Sequence, residues 1–208
     1  VSVLPLVFAS GWASGVNAYA AVLLLGVFGA TGVSDDVPEA LQRPEVLAVA
    51  AVLFLCETVA DKIPYVDSVW DAVHTVIRPA AGAWAGALLA GQDPSLSDLA
   101  GALIGGSTAL ASHTVKAGTR MAVNASPEPF SNLVVSVAED LGVGGVVSLA
   151  MFHPLAAAIV AGVLLFLGLL VLVLLASRIR RFRRRRAQRR EEREQARRST
   201  GQAGRPPP

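Results

Sequence analysis

The stretch Glu57-Thr-Val-Ala-Asp61-Lys62-Ile-Pro64-Tyr-Val-Asp67-Ser-Val-Trp70-Asp71-Ala-Val-His74-Thr-Val-Ile-Arg78-Pro79 carries four acids, one Lys, one His and one Arg, yet apolar runs flank it on both sides. A helix needs ~20 apolar residues to cross a bilayer core. The flanking runs meet that need, which makes the chain an all-α, polytopic membrane bundle. Ionisable side chains near membrane depth are costly, so this stretch is also the first candidate for a functional site.

Composition agrees. The chain is 53% hydrophobic and 16% charged, with a mean hydropathy of +0.53, against about 25% charged residues in ordinary soluble domains. From Arg178 onward there are 13 Arg and 3 Glu, so residues 1–177 keep 5 basic and 13 acidic residues. The pI of 9.1 therefore describes a basic tail joined to an acidic, apolar body. Two regions follow, a transmembrane domain over 1–177 and a cytoplasmic Arg-rich tail over 178–208 whose end is expected to be disordered. Cys56 stands alone, which excludes an intrachain disulfide. The opening residues carry no positive n-region, so a cleavable leader is not expected.

Six apolar segments are expected to cross: about Leu4–Thr31, Pro44–Asp61, Ser68–Ala90, Leu96–Met121, Pro129–Val143 and Val146–Ala176. The fifth is the weakest, because it carries Glu139 and Asp140. The sixth is too long for one crossing, so it tilts, breaks near His153-Pro154 or extends beyond the bilayer. The connectors Gly32–Glu45 and Gly91–Asp98 are acidic, whereas Lys62, Arg78, Lys116, Arg120 and the tail are basic. Basic residues favour the cytoplasmic side. Six crossings with both termini inside satisfy that rule, and the preference for Arg over Lys (16 to 2) with abundant Ala and Val fits a GC-rich bacterial genome, so the expected location is a bacterial cytoplasmic membrane. Arg78-Pro-Ala-Ala-Gly and His153-Pro-Leu-Ala-Ala each follow an acidic cluster, which suggests two inverted three-helix repeats.

Helical spacing gathers the polar residues onto faces. Asp67, Asp71, His74 and Arg78 recur at steps of four, three and four. Glu57 and Asp61 are one turn apart. His113, Lys116 and Arg120 share a face of the fourth segment, and Asn132 and Ser136 precede Asp140 on a stripe of the fifth. Ser10, Ser14 and Asn17 line the first, beside Gly11 and Gly15, where backbones could approach closely. Pro64 and the string around Glu128 (Ser126-Pro-Glu-Pro-Phe-Ser-Asn132) read as turns. The candidate pathway is thus Asn17, Glu57, Asp61, Lys62, Asp67, Asp71, His74, Arg78, His113, Lys116, Arg120, Glu128, Asn132, Glu139 and Asp140.

Three strings, Ser14-Gly-Val-Asn-Ala-Tyr19, E-x-x-A-D-K-I-P-x-V-D-S-x-W-D-x-x-H-T-x-I-R-P-x-A-G over 57–82, and S-P-E-P-F-S-N over 126–132, together resemble the bacterial integral membrane family catalogued as domain of unknown function 4126. The resemblance covers about residues 8–170. It implies a small polytopic membrane protein and no particular activity.

Three functions fit these residues. A transporter or channel for a small solute or ion would use the facing charges as its pathway. A Mg²⁺-dependent enzyme acting on a lipid or phosphate ester would use Asp61, Asp67 and Asp71, with His74 or His113 as acid or base. A non-transporting scaffold or assembly factor would use the Arg-rich tail, with the buried charges fixing helix packing. No Gly-rich nucleotide loop, nucleophile elbow or H-E-x-x-H string is present, and no cofactor is evident. The expected partners are the bilayer, anionic headgroups at the Arg tail, an unassigned solute or ion and further copies of the chain. Nucleic acid is not expected.

Overall fold

The computed structural model describes residues 3–63, 65–124 and 129–203, and every regular element among them is an α-helix. These are α1 (Leu4–Val16), α2 (Ala18–Ala30), α3 (Glu39–Gln42), α4 (Pro44–Ala60), α5 (Val66–Ala90), α6 (Asp98–Asn124), α7 (Pro129–Phe152) and α8 (Pro154–Ala203). Pro64 and Glu128 lie outside the described residues. The chain divides into a body, residues 1–168, and a second unit, residues 169–208.

Among the described residues two helices are long and apolar enough to cross a membrane, Phe130–Phe152 and Pro154–Phe182. The boundary between them corrects the expected fifth and sixth segments, which met near Val143. Pro154 has no N–H and forces the residue before it out of the helical region. The break therefore falls at His153, whose N–H still bonds Leu149 O at 2.7 Å. The fifth helix gains nine residues by this shift and buries Val143, Val146, Val147 and Ala150. The two strings offered as a repeat also occupy unlike positions, since Pro79 sits inside α5 and Pro154 opens α8.

The first expected crossing is not one helix. It breaks at Asn17, whose backbone is extended (φ −148°, ψ 99°) and whose side-chain oxygen caps α2 by accepting the Ala20 N–H at 2.9 Å. Neighbours along each arm give their directions. Val3 N–H reaches Asp93 in the α5–α6 turn at 3.3 Å. Gly11 packs on Gly105 and Gly15 on Ala109, and Val16 O meets Lys116. α1 thus descends beside α6 from the acidic turn. Tyr19 meets His74, while Gly26 packs on Leu41 and Leu47, and Gly29 on Gln42. α2 thus climbs back beside α4 towards α4's start. Arms of 13 residues are ~20 Å each at 1.5 Å per residue. The segment is a V whose tip is Asn17 and whose two outer ends share the side of the acidic connectors.

Small residues bring α1, α5 and α6 together. Gly82 and Gly86 of α5 face Gly101 and Gly105 of α6, and Gly11 and Gly15 of α1 face Gly105, Ala109 and Ser112. A Cβ on Gly11 would stand 2.6 Å from Gly105 O. Close backbone approach of this kind is the usual way helices associate where lipid removes the hydrophobic drive.

Polarity in the body is inverted relative to a soluble protein. Val49, Val52, Leu55 and Val59 of α4 face outward, while Glu57 is fully buried. Val66, Val69, Val73 and Val76 of α5 face outward, while Asp67, Asp71, His74 and Arg78 are buried. On α6, Leu99, Leu103 and Leu110 are exposed while His113, Lys116 and Arg120 are buried. Large apolar side chains thus face outward along α4, α5 and α6, whereas a soluble monomer keeps its contiguous apolar patches to a few hundred Å².

The second unit continues α8 through the Arg run, and its backbone stays helical to Ala203. The Arg186 guanidinium lies 4.6 Å from the centre of the Phe182 ring.

Candidate functional site

The antiparallel α5–α6 hairpin sets the N-terminal half of α5 against the C-terminal half of α6. The end of α4, the tip of the α1–α2 V and the first half of α7 close around that half. Each supplies polar groups to one buried cluster.

Arg78 is fully buried. Its Nη2 donates to Glu57 Oε1 at 2.7 Å and its Nη1 to His113 Nδ1 at 2.8 Å. A guanidinium is donor-only, so His113 Nδ1 is the acceptor and the ring is neutral with its proton on Nε2. That proton points to Thr75 Oγ1 at 3.2 Å, and Thr75 in turn donates to Asp71 O at 3.0 Å. Asp71 Oδ1 also lies 3.0 Å from Arg78 Nη1, close enough for an ion pair but off the hydrogen-bonding direction.

Lys116 is the hub. Its Nζ lies 2.6 Å from Asp61 Oδ2, 3.0 Å from Val16 O, 3.4 Å from Glu57 Oε1 and 3.5 Å from Glu139 Oε2. The Val16 carbonyl is one of those freed where α1 ends at Asn17. An ammonium there also complements the negative end of the α1 dipole. The matching acid stands at the start of α2, where Asn17 Nδ2 donates to Asp140 Oδ1 at 3.1 Å.

Arg120 ties α7 to α4. Its Nη2 donates to Glu139 Oε2 at 2.6 Å and to Asp61 Oδ2 at 3.2 Å. Its Nη1 donates to the Asp61 carbonyl at 2.7 Å and to Asn132 Oδ1 at 2.8 Å, and lies 3.7 Å from Asp67 Oδ2. The Asn132 amide completes the loop by donating to Asp61 O at 3.1 Å.

Among the described residues the ion pairs of this cluster join five carboxylates (Glu57, Asp61, Asp67, Asp71, Glu139) to three cations (Arg78, Lys116, Arg120). Glu57 Oε2, Asp61 Oδ1 and Asp71 Oδ2 are buried and accept no hydrogen bond from a described residue. The cluster is therefore acid-rich.

Most expected pathway residues thus meet, with four exceptions among those described. His74 is buried but turns away from the ion pairs. Its Nδ1–H donates to Trp70 O at 2.7 Å, and its Nε2 accepts from Tyr19 OH at 3.0 Å while its ring stacks on Trp70. Lys62 folds back on its own helix, donating to Thr58 O at 2.9 Å. Asp140 and Asn17 meet each other rather than the cations. Asp61, Asp67 and Asp71 do not converge as a Mg²⁺ trio, and no group of three or more His, Cys, Asp or Glu among the described residues is arranged to hold a metal ion.

Sequence reasoning passed over Tyr19, Thr75, Ser112 and the Val16 carbonyl. Tyr19 and Thr75 lie inside the motif strings. Ser112, whose hydroxyl donates to Trp12 O at 2.8 Å, stands one turn before Lys116, which is the only local signal it offers. A partly open cavity of about 320 Å³ borders the cluster on the α1, α6, α7 side, lined by Trp12, Ser112, Lys116, Glu139 and apolar residues that include Leu164 and Leu165 of α8.

No curated protein and no solved structure matches this chain. One family model matches residues 4–174, the whole span that supplies the cluster, and on that match the chain belongs to the family described as Domain of unknown function (DUF4126).

Proposed function

We propose that this protein is a transporter or channel of the bacterial cytoplasmic membrane that moves a small solute or ion past an acid-rich intramembrane site. The observation that carries the reading is that Glu57 Oε2, Asp61 Oδ1 and Asp71 Oδ2 lie buried beneath a broken-helix tip with no donor among the described residues. Charge buried without a counter-charge is neutralised by a proton or a mobile cation, because the desolvation cost is otherwise several kcal/mol per ion. Helices broken at membrane depth, with their dipole ends turned on a polar site, are the usual binding architecture of secondary transporters, and irregular backbone survives at that depth only where protein or a cavity covers it.

The topology that fits has five crossings, α4 to α8, with α1–α2 as a re-entrant V. Both acidic connectors and the start of α1 then lie outside, and Lys62, the charged cluster and the Arg tail lie towards the cytoplasm, in accord with the positive-inside rule. The tail would rest on anionic headgroups, worth ~1 kcal/mol per basic residue near the surface. Single-cysteine labelling of intact cells checks this placement. In a Cys56→Ala background, a cysteine at Ser34 and one at Ser95 are expected to react with an impermeant maleimide, and one at Ser177 is not. Labelling of Ser34 and Ser95 on opposite faces rules the arrangement out.

Flux tests the function. Proteoliposomes carrying the full chain are expected to pass protons or monovalent cations down an imposed gradient. Glu57→Gln should lower that flux at least ~10-fold while the protein stays monodisperse, since the change keeps the side chain's shape and removes one of the surplus charges. Equal flux in Glu57→Gln and the parent protein would remove the cluster from the pathway.

A further inference from the structure

The sign of the ligand's charge follows from which protons are already committed. The cavity beside the cluster holds about 320 Å³, the lower end of the range that accepts small molecules. Its wall is apolar apart from Trp12 and a polar floor of Ser112, Lys116, Thr119 and Glu139. The Ser112 hydroxyl proton goes to Trp12 O, and that of Thr119 goes to Val115 O at 2.9 Å. Lys116 has three protons and four acceptors within 3.5 Å. The hydroxyl and ammonium protons of the floor are thus all in use, and an anionic head would find none of them free.

Acceptors remain. Glu139 is 14% exposed, and its ion pairs to Arg120 and Lys116 both run through Oε2. Its Oε1 accepts no hydrogen bond from a described residue. Trp12 lines the same wall, and an indole ring attracts a cation to its π face. The cluster behind the floor is itself acid-rich. We propose that this cavity binds a lipophilic ammonium, with the N–H groups on Glu139 Oε1, the charge against Trp12 and the alkyl part among Val135, Leu164 and their neighbours. The assignment deepens the transport reading above by naming the class of solute at that site.

The test uses the full chain in phosphatidylcholine nanodiscs, titrated calorimetrically with n-octylammonium, sodium octanoate and 1-octanol, with the heats from empty discs subtracted. Octylammonium is expected to bind saturably and about tenfold or more tighter than octanoate or octanol, since only the ammonium brings charge-assisted hydrogen bonds to the carboxylate. Glu139→Gln should weaken it by about tenfold or more, and Val135→Trp, which fills the cavity, should abolish saturable binding. Both variants must remain monodisperse, and Val135→Trp keeps the test valid if Glu139→Gln folds poorly. Heats equal to those of empty discs, or octanoate binding as tightly as octylammonium, overturn the assignment. Saturable ammonium binding in a protein that passes no ion leaves this site standing and ends the transport reading. Ion flux without ammonium binding does the reverse.

Discussion

Lys116→Met is expected to lower the stability of the folded chain by about 3–5 kcal/mol, the range measured when one partner of a buried ion pair is removed. The Lys116 ammonium serves Asp61, Glu57, Glu139 and the carbonyl at the end of α1. Met has similar length but no charge, so these acceptors lose their common donor while remaining buried. The cluster also becomes more acidic, with five carboxylates facing two cations. Glu57→Gln moves the balance the other way and should cost much less. A double variant, Lys116→Met with Asp61→Asn, removes charge on both sides and should recover part of the loss, which a double-mutant cycle measures. Thermal unfolding of purified protein in one detergent gives the ranking. If Lys116→Met is no less stable than Glu57→Gln, the cluster is not organised around the lysine.

Gly105→Val is expected to be still more disruptive, to the point that little monodisperse protein is recovered. A Cβ at position 105 would run into the Gly82 carbonyl oxygen and lie 3.2 Å from Gly86 Cα. The obstacle is backbone, not a side chain that can swing away. Relief requires α5 and α6 to separate, and Gly11 of α1 leans on the same residue of α6. Ordinary overpacking costs ~1–3 kcal/mol, and here three helices share the displacement. Gly145→Val is the control, because nothing lies within 4 Å of a Cβ there. It should stay within ~0.5 kcal/mol of the parent protein. Equal yields from the two variants would mean that the glycine contacts do not hold the core together.

These two expectations differ in how far the sequence alone supports them. Gly11 and Gly15 were legible as a close-approach surface because they fall one turn apart on an apolar helix. Their partners Gly105 and Ala109 have the same spacing but are two among many small residues of α6, and only packing distinguishes them. The stripe Asp67, Asp71, His74, Arg78 was legible from helical periodicity, and all four are buried. His74 nevertheless serves Tyr19 and Trp70. A stripe about 100° wide cannot tell which of its members meets which neighbour.

The V of α1 and α2 was not legible. Apolar residues continue on both sides of Asn17, so hydropathy reads one long crossing. A single Asn within such a run signals a polar contact but not a reversal of direction. The reversal is stabilised by groups distant in sequence: Lys116 on the last α1 carbonyl, Asp140 on the Asn17 amide and Asp93 at the start of α1. The break at His153 was legible as one of three outcomes, since proline's missing N–H is a local fact. Local chemistry could not choose among tilting, extending and breaking.

The sequence by itself determined that the chain is helical and apolar outside, that it carries a basic end, and which residues a buried polar layer would draw on. Period, composition and proline act within a turn or two of chain, so one strand of sequence is enough to read them. Only the tertiary structure decided that the first segment turns back at Asn17, that Lys116 binds the opened helix end, and that acids outnumber bases among the described residues where five helices meet. Those facts depend on distances between groups up to 123 positions apart, and charge balance in a buried site is a property of the assembled set of groups rather than of any one of them.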